Sequence, residues 1–269
     1  MNENQQKQQK QERASRMSAI TISRQYGSGG GEIAARLAQQ LQWQLIDHEI
    51  VAHVARDMGI TEEEAAVHDE HVEGFISRVL GSMQLAAPEL LASVPIVPIS
   101  PGMQERFYHE ALRRVVETAA ETGNSVIVGR GAQVLLANRR DILHIRVVAP
   151  LEQRVRYVMR RESLNEASAR ARIQQKDRDR AYYLQMQHHH DVNDPVLYDL
   201  VVNSGVLDLA SLVDLIMLAL ERKARRLAVK TSELGAVTGL PPYPSRPADF
   251  HPPLIEEGEN ESAAQSDQG

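Results

Sequence analysis

Residues 19–32 read AITISRQYGSGGGE and predict a strand, a glycine-rich loop and the start of a helix. The first five of these residues, AITIS, are predicted to form a short buried strand. Four of the five residues from Gly27 to Gly31 are glycines, and glycines let a backbone approach an anion closely and turn its N–H groups toward it. The helix N-terminus behind the loop adds partial positive charge. A flexible turn without a ligand is the alternative, but the strand–loop–helix order favours a phosphate-binding loop.

The rest of the chain alternates between helical and extended patterns. Apolar residues on one face of the first helix are Ile33, Ala34, Leu37, Ala38 and Leu41. Further strands are predicted at 45–46, 125–128, 142–148 and 200–202, and further helices at 104–122, at 151–161 and after Asp208. This order predicts an α/β fold in which helices cover both faces of a parallel sheet. Ligands of such sheets bind at the carboxyl ends of the strands.

Composition excludes several classes of function. The 269 residues carry a net charge of −6, which gives no overall field for nucleic acid or for an anionic membrane. Cysteine is absent, which excludes disulfides, cysteine-ligated metals and a thiol nucleophile. No apolar run approaches the ~20 residues of a membrane helix, and no secretory signal precedes the first strand. We therefore expect a cytoplasmic protein that binds neither nucleic acid nor membranes.

Both ends of the chain differ in composition from its centre. Residues 1–17 are almost entirely polar, and we expect a disordered tail. Residues 228–269 contain a cluster of prolines followed by an acidic run, and we expect a second tail. The folded domain is predicted to span 18–227.

The loop departs from the G-x-x-x-x-G-K-[ST] pattern of most P-loop proteins. If Gly29 takes the second glycine position, Arg24 replaces the first glycine, Gly30 replaces the lysine, and Gly31 replaces the Ser or Thr that binds magnesium. The charge that neutralises a bound phosphate must then come from elsewhere. Arg24 is the nearest candidate.

Residues 20–30, ITISRQYGSGG, resemble the opening of the cytidylate kinase-like proteins, a branch of the nucleoside monophosphate kinases. The resemblance continues in the same order through segments 45–47, 126–131, 176–180 and 194–201, and it covers about residues 18–225. It implies a three-layer α/β/α P-loop fold with a helical insert at about 60–103 and a mobile lid at about 160–195. Family members also lack the P-loop lysine, but many carry a basic residue where this chain has Gly31.

The resemblance also implies roles for residues at two other turns. Asp47 stands where cytidylate kinases have an aspartate that helps to bind the nucleoside monophosphate, although from its residue type alone it is equally a helix cap. Gly129-Arg130-Gly131 matches a Gly-Arg-Asp motif, with Gly131 in place of the aspartate. Arg130 would hold a phosphate through its guanidinium fork, and the alternative is a solvated loop arginine.

Nine basic residues lie between Arg154 and Arg180, which is a local positive patch in an acidic protein. By resemblance this segment is the lid, whose basic residues close over the transferred phosphate; those residues are Arg160, Lys176, Arg178 and Arg180. The alternative is a solvated helix pair with salt bridges between successive turns, which accounts for Arg170 and Arg172. The predicted catalytic residues are Arg24, Arg130, Arg178 and Arg180, and the predicted nucleotide-binding residues are Gly27, Ser28, Gly29, Gly30 and Gly31.

The expected function is ATP-dependent phosphorylation of a nucleoside monophosphate, with CMP or dCMP first. Mg²⁺ is the expected cofactor with ATP, but the sequence does not identify its ligands. Two alternatives stay open: a nucleotide-binding sensor or regulatory module with weak or no kinase activity, and a kinase of another small phosphate acceptor. His188-His189-His190 is interpreted as a surface run. The apolar segment 74–101 is interpreted as a helical hairpin, a lid or the contact of a homodimer.

Overall fold

The computed structural model describes residues 16–47 and 101–234. The predicted insert lies outside these residues apart from its last three positions, and so do segment 74–100 and most of both predicted tails. The described strands form one parallel sheet of five strands in the order β2-β3-β1-β4-β5. Their bounds are β1 Ala19–Arg24, β2 Gln44–Ile46, β3 Ser125–Val128, β4 Ile142–Val148 and β5 Leu200–Asn203.

Each of the described strands is followed along the chain by at least one described helix, as the α/β pattern predicts. They are α1 Gly30–Leu41, α2 Pro101–Thr122, α3 Ala132–Leu135, α4 Leu151–Glu162, α5 Glu166–His188 and α6 Leu209–Arg226. Asp208 caps α6 by accepting a hydrogen bond from the backbone N–H of Ser211. A 3₁₀ turn at Pro195–Leu197 precedes β5. No helix within the described ranges is both long and apolar enough to cross a bilayer.

The main core lies between the sheet and helices α1 and α6. The five predicted apolar residues of α1 are all buried there, together with alternate residues of the central strands such as Ile20, Ile22, Leu143 and Ile145. Helix α2 packs against β3 and buries Leu112, Val115, Val116 and Ala119. The three-layer α/β/α fold is thus confirmed.

Polar residues alternate with the core residues in β1 and β4. Thr21 pairs with His144, and Ser23 pairs with Arg146, in the parallel register of the two strands. All four side chains are buried. Since alternate residues of a strand point to opposite faces, these four lie on the face away from α1 and α6. This polar strip runs toward the carboxyl ends of the strands.

The domain boundaries differ from the prediction at one end. Met17 is 1% exposed and belongs to the main core, so the folded part begins at or before this residue rather than at position 18. Contacts divide the chain after Ala228 into two compact units, and the described residues of the second unit contain a 3₁₀ turn at Thr231–Glu233.

Candidate functional site

The glycine loop connects β1 to α1 and contains backbone that only glycine adopts readily. Gly27 has φ 79° and Gly29 has φ 75°, both in the left-handed region. Gly29 is the N-cap of α1 and supplies no side-chain hydrogen bond to it. An added Cβ at Gly27 would lie 2.9 Å from Cγ2 of Val158 in α4. The loop is therefore packed against α4. The N-cap has no side chain that could accept a hydrogen bond from the first-turn N–H groups of α1.

Arg24, the last residue of β1, extends from the glycine loop to the turn after β3. The stem of its side chain lies against Gly30, and an added Cβ at Gly129 would lie 3.1 Å from its Nη1 atom. None of the described residues accepts a hydrogen bond from this guanidinium or forms an ion pair with it. Its charge is therefore available to a ligand.

Three arginines converge at this point. The pKa of Arg24 is lowered to about 10, chiefly by burial and then by the charges of Arg180 and Arg130, while the charge of Asp47 opposes this shift. Burial likewise lowers the pKa of Arg180; Asp177 and Tyr26 oppose this effect, and the charges of Arg130 and Arg146 add to it. Cations that repel one another in a partly buried site favour the binding of an anion.

Arg24 and Arg180 lie between two cavities. The loop cavity, of about 150 Å³, is lined by residues 24–32 with Tyr157, Val158, Arg161, Glu162 and Arg180. The central cavity, of about 360 Å³, lies on the other side of the two arginines, and its further polar lining includes Ser23, Arg130, Gln133, Lys176, Asp179 and Tyr183. Arg24 and Arg180 thus form part of the wall of both cavities.

Helix α5 is fastened to the glycine loop through Asp177. One carboxylate oxygen of Asp177 accepts a hydrogen bond from the backbone N–H of Tyr26 at 2.7 Å, and the other accepts one from Nη1 of Arg154 at 2.6 Å. Arg180, one turn further along α5, donates to the backbone oxygen of Arg24 at 3.1 Å, and its guanidinium lies 5.3 Å from the centre of the Tyr26 ring. Neither Asp177 nor Tyr26 is among the site residues predicted from the sequence. Asp177 therefore places the cationic end of Arg180 at the boundary between the cavities.

An outer groove of about 550 Å³ adjoins the loop cavity and is lined by Glu32, Gln153, Arg156, Tyr157, Arg160 and Arg161. Glu32, in the first turn of α1, accepts hydrogen bonds from the Tyr157 hydroxyl and from Arg161. Arg161 therefore neutralises the one acidic side chain that lies in the first turn of α1.

The structure brings together some of the predicted site residues and separates others. Arg24, Arg130, Lys176 and Arg180 all line the central cavity, and residues 27–31 line the loop cavity. Arg160 lies in the outer groove instead. Arg178 is exposed, donates a hydrogen bond to Oε1 of Gln175, and lines none of the described cavities. Asp47 follows β2 and is close enough to Arg24 to raise its pKa. The roles of these residues stay predictions.

The histidine triplet is only partly a surface run. His189 and His190 are exposed, but His188 is half-buried. An added Cβ at Gly131 would lie 2.5 Å from Nε2 of His188, so this imidazole fills the space that a side chain at position 131 would occupy. Burial, followed by the neighbouring histidines, lowers the pKa of His188. The described residues contain no group of three His, Asp or Glu side chains that would hold a metal ion.

Comparisons with known proteins support the fold and indicate a family. The sequence profile of the cytidylate kinase-like family matches residues 19–206. An uncharacterized protein from Eubacterium ventriosum has a crystal structure that covers 76% of this chain and 98% of its own, with 20% identity and a TM-score of 0.50, and it shares the fold. A shikimate kinase from Bacteroides thetaiotaomicron covers 76% of this chain and 99% of its own, with 15% identity and a TM-score of 0.42.

One curated relative matches over a shorter range. A uronate isomerase of Corynebacterium glutamicum is 31% identical over 111 residues, which are 41% of this chain. The chain spans about a fifth of the length of that relative, 21%.

Proposed function

The chain belongs to the cytidylate kinase-like family, and on that premise we propose that it transfers the γ-phosphoryl group of ATP to a nucleoside monophosphate, with CMP or dCMP as the first candidates. The family and the fold support a small-molecule kinase. The choice of acceptor is our proposal. The observation that carries it is the pair of cavities that meet at Arg24 and Arg180.

We place the phosphates of ATP in the loop cavity. The first-turn N–H groups of α1 and the partial charge of its N-terminus suit phosphate oxygens, and Gly29 at the N-cap lets the backbone approach them. The rest of the nucleotide would extend into the adjoining outer groove, beside Arg156 and Tyr157. We propose a cytoplasmic location because the proposed phosphoryl donor is ATP.

Magnesium is best described as part of the MgATP substrate. The described residues hold no cluster of three carboxylate or imidazole ligands, and Gly31 supplies no hydroxyl. Mg²⁺ in kinases keeps several waters and takes further ligands from the phosphates of the substrate. This donor set fits an ion that enters with ATP rather than a resident ion held by protein side chains.

We place the acceptor in the central cavity. Four cationic side chains line it, Arg24, Arg130, Lys176 and Arg180, and they suit an acceptor that already carries a phosphate. Apolar side chains, among them Leu112, Val128 and Leu184, and the ring of Tyr183 form other parts of the wall. This combination suits a phosphate joined to a flat or apolar group, as in a nucleoside monophosphate.

The transfer itself requires positioning and charge neutralisation. An oxygen of the acceptor phosphate attacks the γ-phosphorus, and the bond from that phosphorus to the bridging oxygen of ADP breaks. No covalent intermediate with the protein forms. Arg24 and Arg180 would stabilise the negative charge on the transferring group from the boundary between the cavities, a role that the P-loop lysine takes in other proteins.

A nucleotide-binding sensor is the second candidate, because Gly30 and Gly31 replace the lysine and the hydroxyl residue of standard P-loops. ADP release with CMP, dCMP, UMP, AMP and GMP as acceptors distinguishes the two. The kinase predicts a rate that rises with at least one monophosphate, CMP or dCMP most strongly. Nucleotide binding by calorimetry, without a rise in ADP release for any acceptor, would favour the sensor.

A further inference from the structure

Arg146 is a buried arginine that is hydrogen-bonded to Ser23, a residue that lines the central cavity. It lies near the end of β4 and is 5% exposed. Its Nη1 atom donates to Oγ of Ser23 at 3.0 Å, and its Nη2 atom donates to Oδ1 of Asn193 at 2.9 Å. The hydroxyl of Tyr198 lies 3.4 Å from Nη1, and the guanidinium lies 5.6 Å from the centre of the Tyr198 ring.

These hydrogen-bond partners are all neutral. None of the carboxylates in the described ranges forms an ion pair with Arg146. Arg154, which is buried to a similar extent, pairs with Asp177 at 2.6 Å, and Arg139 pairs with Asp141. A buried charge is costly unless an opposite charge compensates it. Arg146 therefore carries a charge that its neighbours solvate but do not neutralise.

Arg146 adjoins the central cavity through its neighbours. Ser23, which binds its Nη1 atom, lines the cavity, as does Val192, the residue before Asn193. The charge of Arg146 also affects Arg180 on the cavity wall. The one carboxylate among the described lining residues is Asp179, which is exposed and accepts a hydrogen bond from the side-chain amide of Gln175. The cavity thus combines four cations in its wall with a fifth beneath it.

We propose that Arg146 is a specificity-determining residue whose uncompensated charge makes the central cavity select an acceptor with a phosphate and reject its uncharged counterpart. Arg146 does not reach the ligand; it acts through its field across Ser23. An anion in the cavity compensates the positive charge of Arg146. A neutral molecule in the cavity leaves that charge uncompensated. This inference deepens the proposed function and rests on it for the identity of the acceptor, but not for the binding of an anion.

Titration calorimetry with inorganic pyrophosphate tests the inference without any turnover. The variants are Arg146→Met, Arg146→Gln and Arg146→Lys, and Arg139→Met serves as a matched control because Arg139 lies at the opposite end of the strands and is paired. Binding to the loop cavity should persist in every variant, because Arg146 does not line it. Circular dichroism checks that each variant is folded.

We expect one pyrophosphate-binding event of the wild-type protein to weaken by about tenfold in Arg146→Met and Arg146→Gln. Arg146→Lys should keep most of the wild-type affinity for pyrophosphate, because lysine retains the positive charge although it loses the two guanidinium hydrogen bonds to Ser23 and Asn193. Arg139→Met should bind as the wild type does. Equal binding by wild type and both neutral variants would overturn the inference. Binding by Arg146→Lys that is as weak as in Arg146→Met would overturn it as well, since hydrogen bonding rather than charge would then be responsible.

Failure of this inference can be told apart from failure of the proposed function. If the neutral variants lose pyrophosphate affinity while the wild type turns over no monophosphate, Arg146 keeps its role and the kinase proposal falls. If the wild type is an active kinase and the neutral variants bind pyrophosphate normally, the kinase proposal stands and the role of Arg146 falls. A wild-type protein that does not bind pyrophosphate overturns the inference regardless of activity.

Discussion

Gly30 lies directly against the side chain of Arg24, so that an added Cβ at position 30 would be 2.8 Å from the Cβ of Arg24 and 3.1 Å from its Cδ. A lysine at position 30 and Arg24 in its present position therefore exclude each other. We propose that Arg24, at the end of the preceding strand, supplies the cation that standard P-loops carry on the first turn of the helix. Our account of the site depends on this exchange.

Replacing Gly30 by Ala should disturb the position of Arg24. The close atom is the Cβ of Arg24, which cannot swing away as the end of a flexible side chain does. We expect a loss of about 1–3 kcal/mol in the free energy of unfolding, together with weaker ATP binding. Gly31→Ala is the matched control, since an added Cβ there meets no atom within 4 Å, and it should be neutral or slightly stabilising. Urea unfolding and calorimetry measure both effects. Equal behaviour of the two variants would contradict the contact.

Removing Arg24 or Arg180 should slow catalysis more than it weakens binding. Both residues line both cavities, and in the proposed transfer the negative charge develops between these cavities. We expect kcat to fall by about a hundredfold in Arg24→Ala and in Arg180→Ala. Arg178→Ala provides a comparison on the same helix, and its exposed side chain predicts a nearly unchanged kcat. A large loss in Arg178→Ala with little loss in the other two would contradict the assignment.

Asp177→Asn should loosen the attachment of α5 to the glycine loop. The substitution leaves the buried guanidinium of Arg154 without its carboxylate partner and weakens the acceptor of the Tyr26 N–H. We expect the free energy of unfolding to fall by about 2 kcal/mol and the KM for ATP to rise. Asp179→Asn, two residues away and exposed, should change the stability by no more than about 0.5 kcal/mol. Similar losses in both variants would indicate a general effect of charge on α5.

Stability should decline in mild acid because of His144. Its Nδ1 atom pairs with Oγ1 of Thr21 at 2.7 Å, and burial lowers its pKa to about 4, with the charge of Asp199 opposing and that of Lys223 adding to the effect. The pKa of His144 is lower in the folded protein than in the unfolded chain, where it is about 6.5. Its contribution to the free energy of unfolding is therefore complete above pH 6.5 and falls as the pH drops toward 4.

For this shift the loss between pH 6.5 and pH 4 amounts to about 3 kcal/mol, measured by urea unfolding at several pH values. His144→Gln should flatten most of this dependence. Asp141 does not interfere, since its pKa is lowered to about 2, chiefly by the hydrogen bond from Arg139, and its contribution is lost only below pH 3.8. An unchanged pH dependence in His144→Gln would show that other groups, such as His188, are responsible.

The elements around the glycine loop could be predicted from the sequence because their signals are local. The short strand pattern of β1, the glycines after it and the helical spacing from Ile33 to Leu41 each predict one element without reference to the rest of the chain. Met17 was assigned to a tail because a single apolar residue beside a polar segment gives no periodic pattern. Its burial depends on contacts with the completed core.

Helical geometry could have predicted that the basic residues between Arg154 and Arg180 belong to separate sites. Lys176, Arg180 and Leu184 are spaced by four residues and share one face of α5, and all three line the central cavity. Arg178 lies between them in sequence and so points elsewhere. Arg160 belongs to α4, and its position in the outer groove depends on how α4 packs beside the loop, which no spacing within the chain reveals.

The polar strip beneath the cavity had a sequence signal, but its meaning came only from the structure. Alternation in residues 142–148 places His144 and Arg146 on one face of a strand that is otherwise apolar. Buried polar or charged side chains such as these are expected to have hydrogen-bond or ion-pair partners. That Arg146 meets only neutral partners depends on which side chains β1 and the segment before β5 bring to it.

The most direct measurement is a ³¹P NMR time course of the wild-type protein with MgATP and CMP. The account predicts that the ATP signals decline while ADP and CDP appear in equal amounts, and that Arg24→Ala slows this exchange by about a hundredfold. Formation of ADP with inorganic phosphate but no nucleoside diphosphate from any monophosphate tested, or no consumption of ATP at all, would contradict transfer between the two cavities.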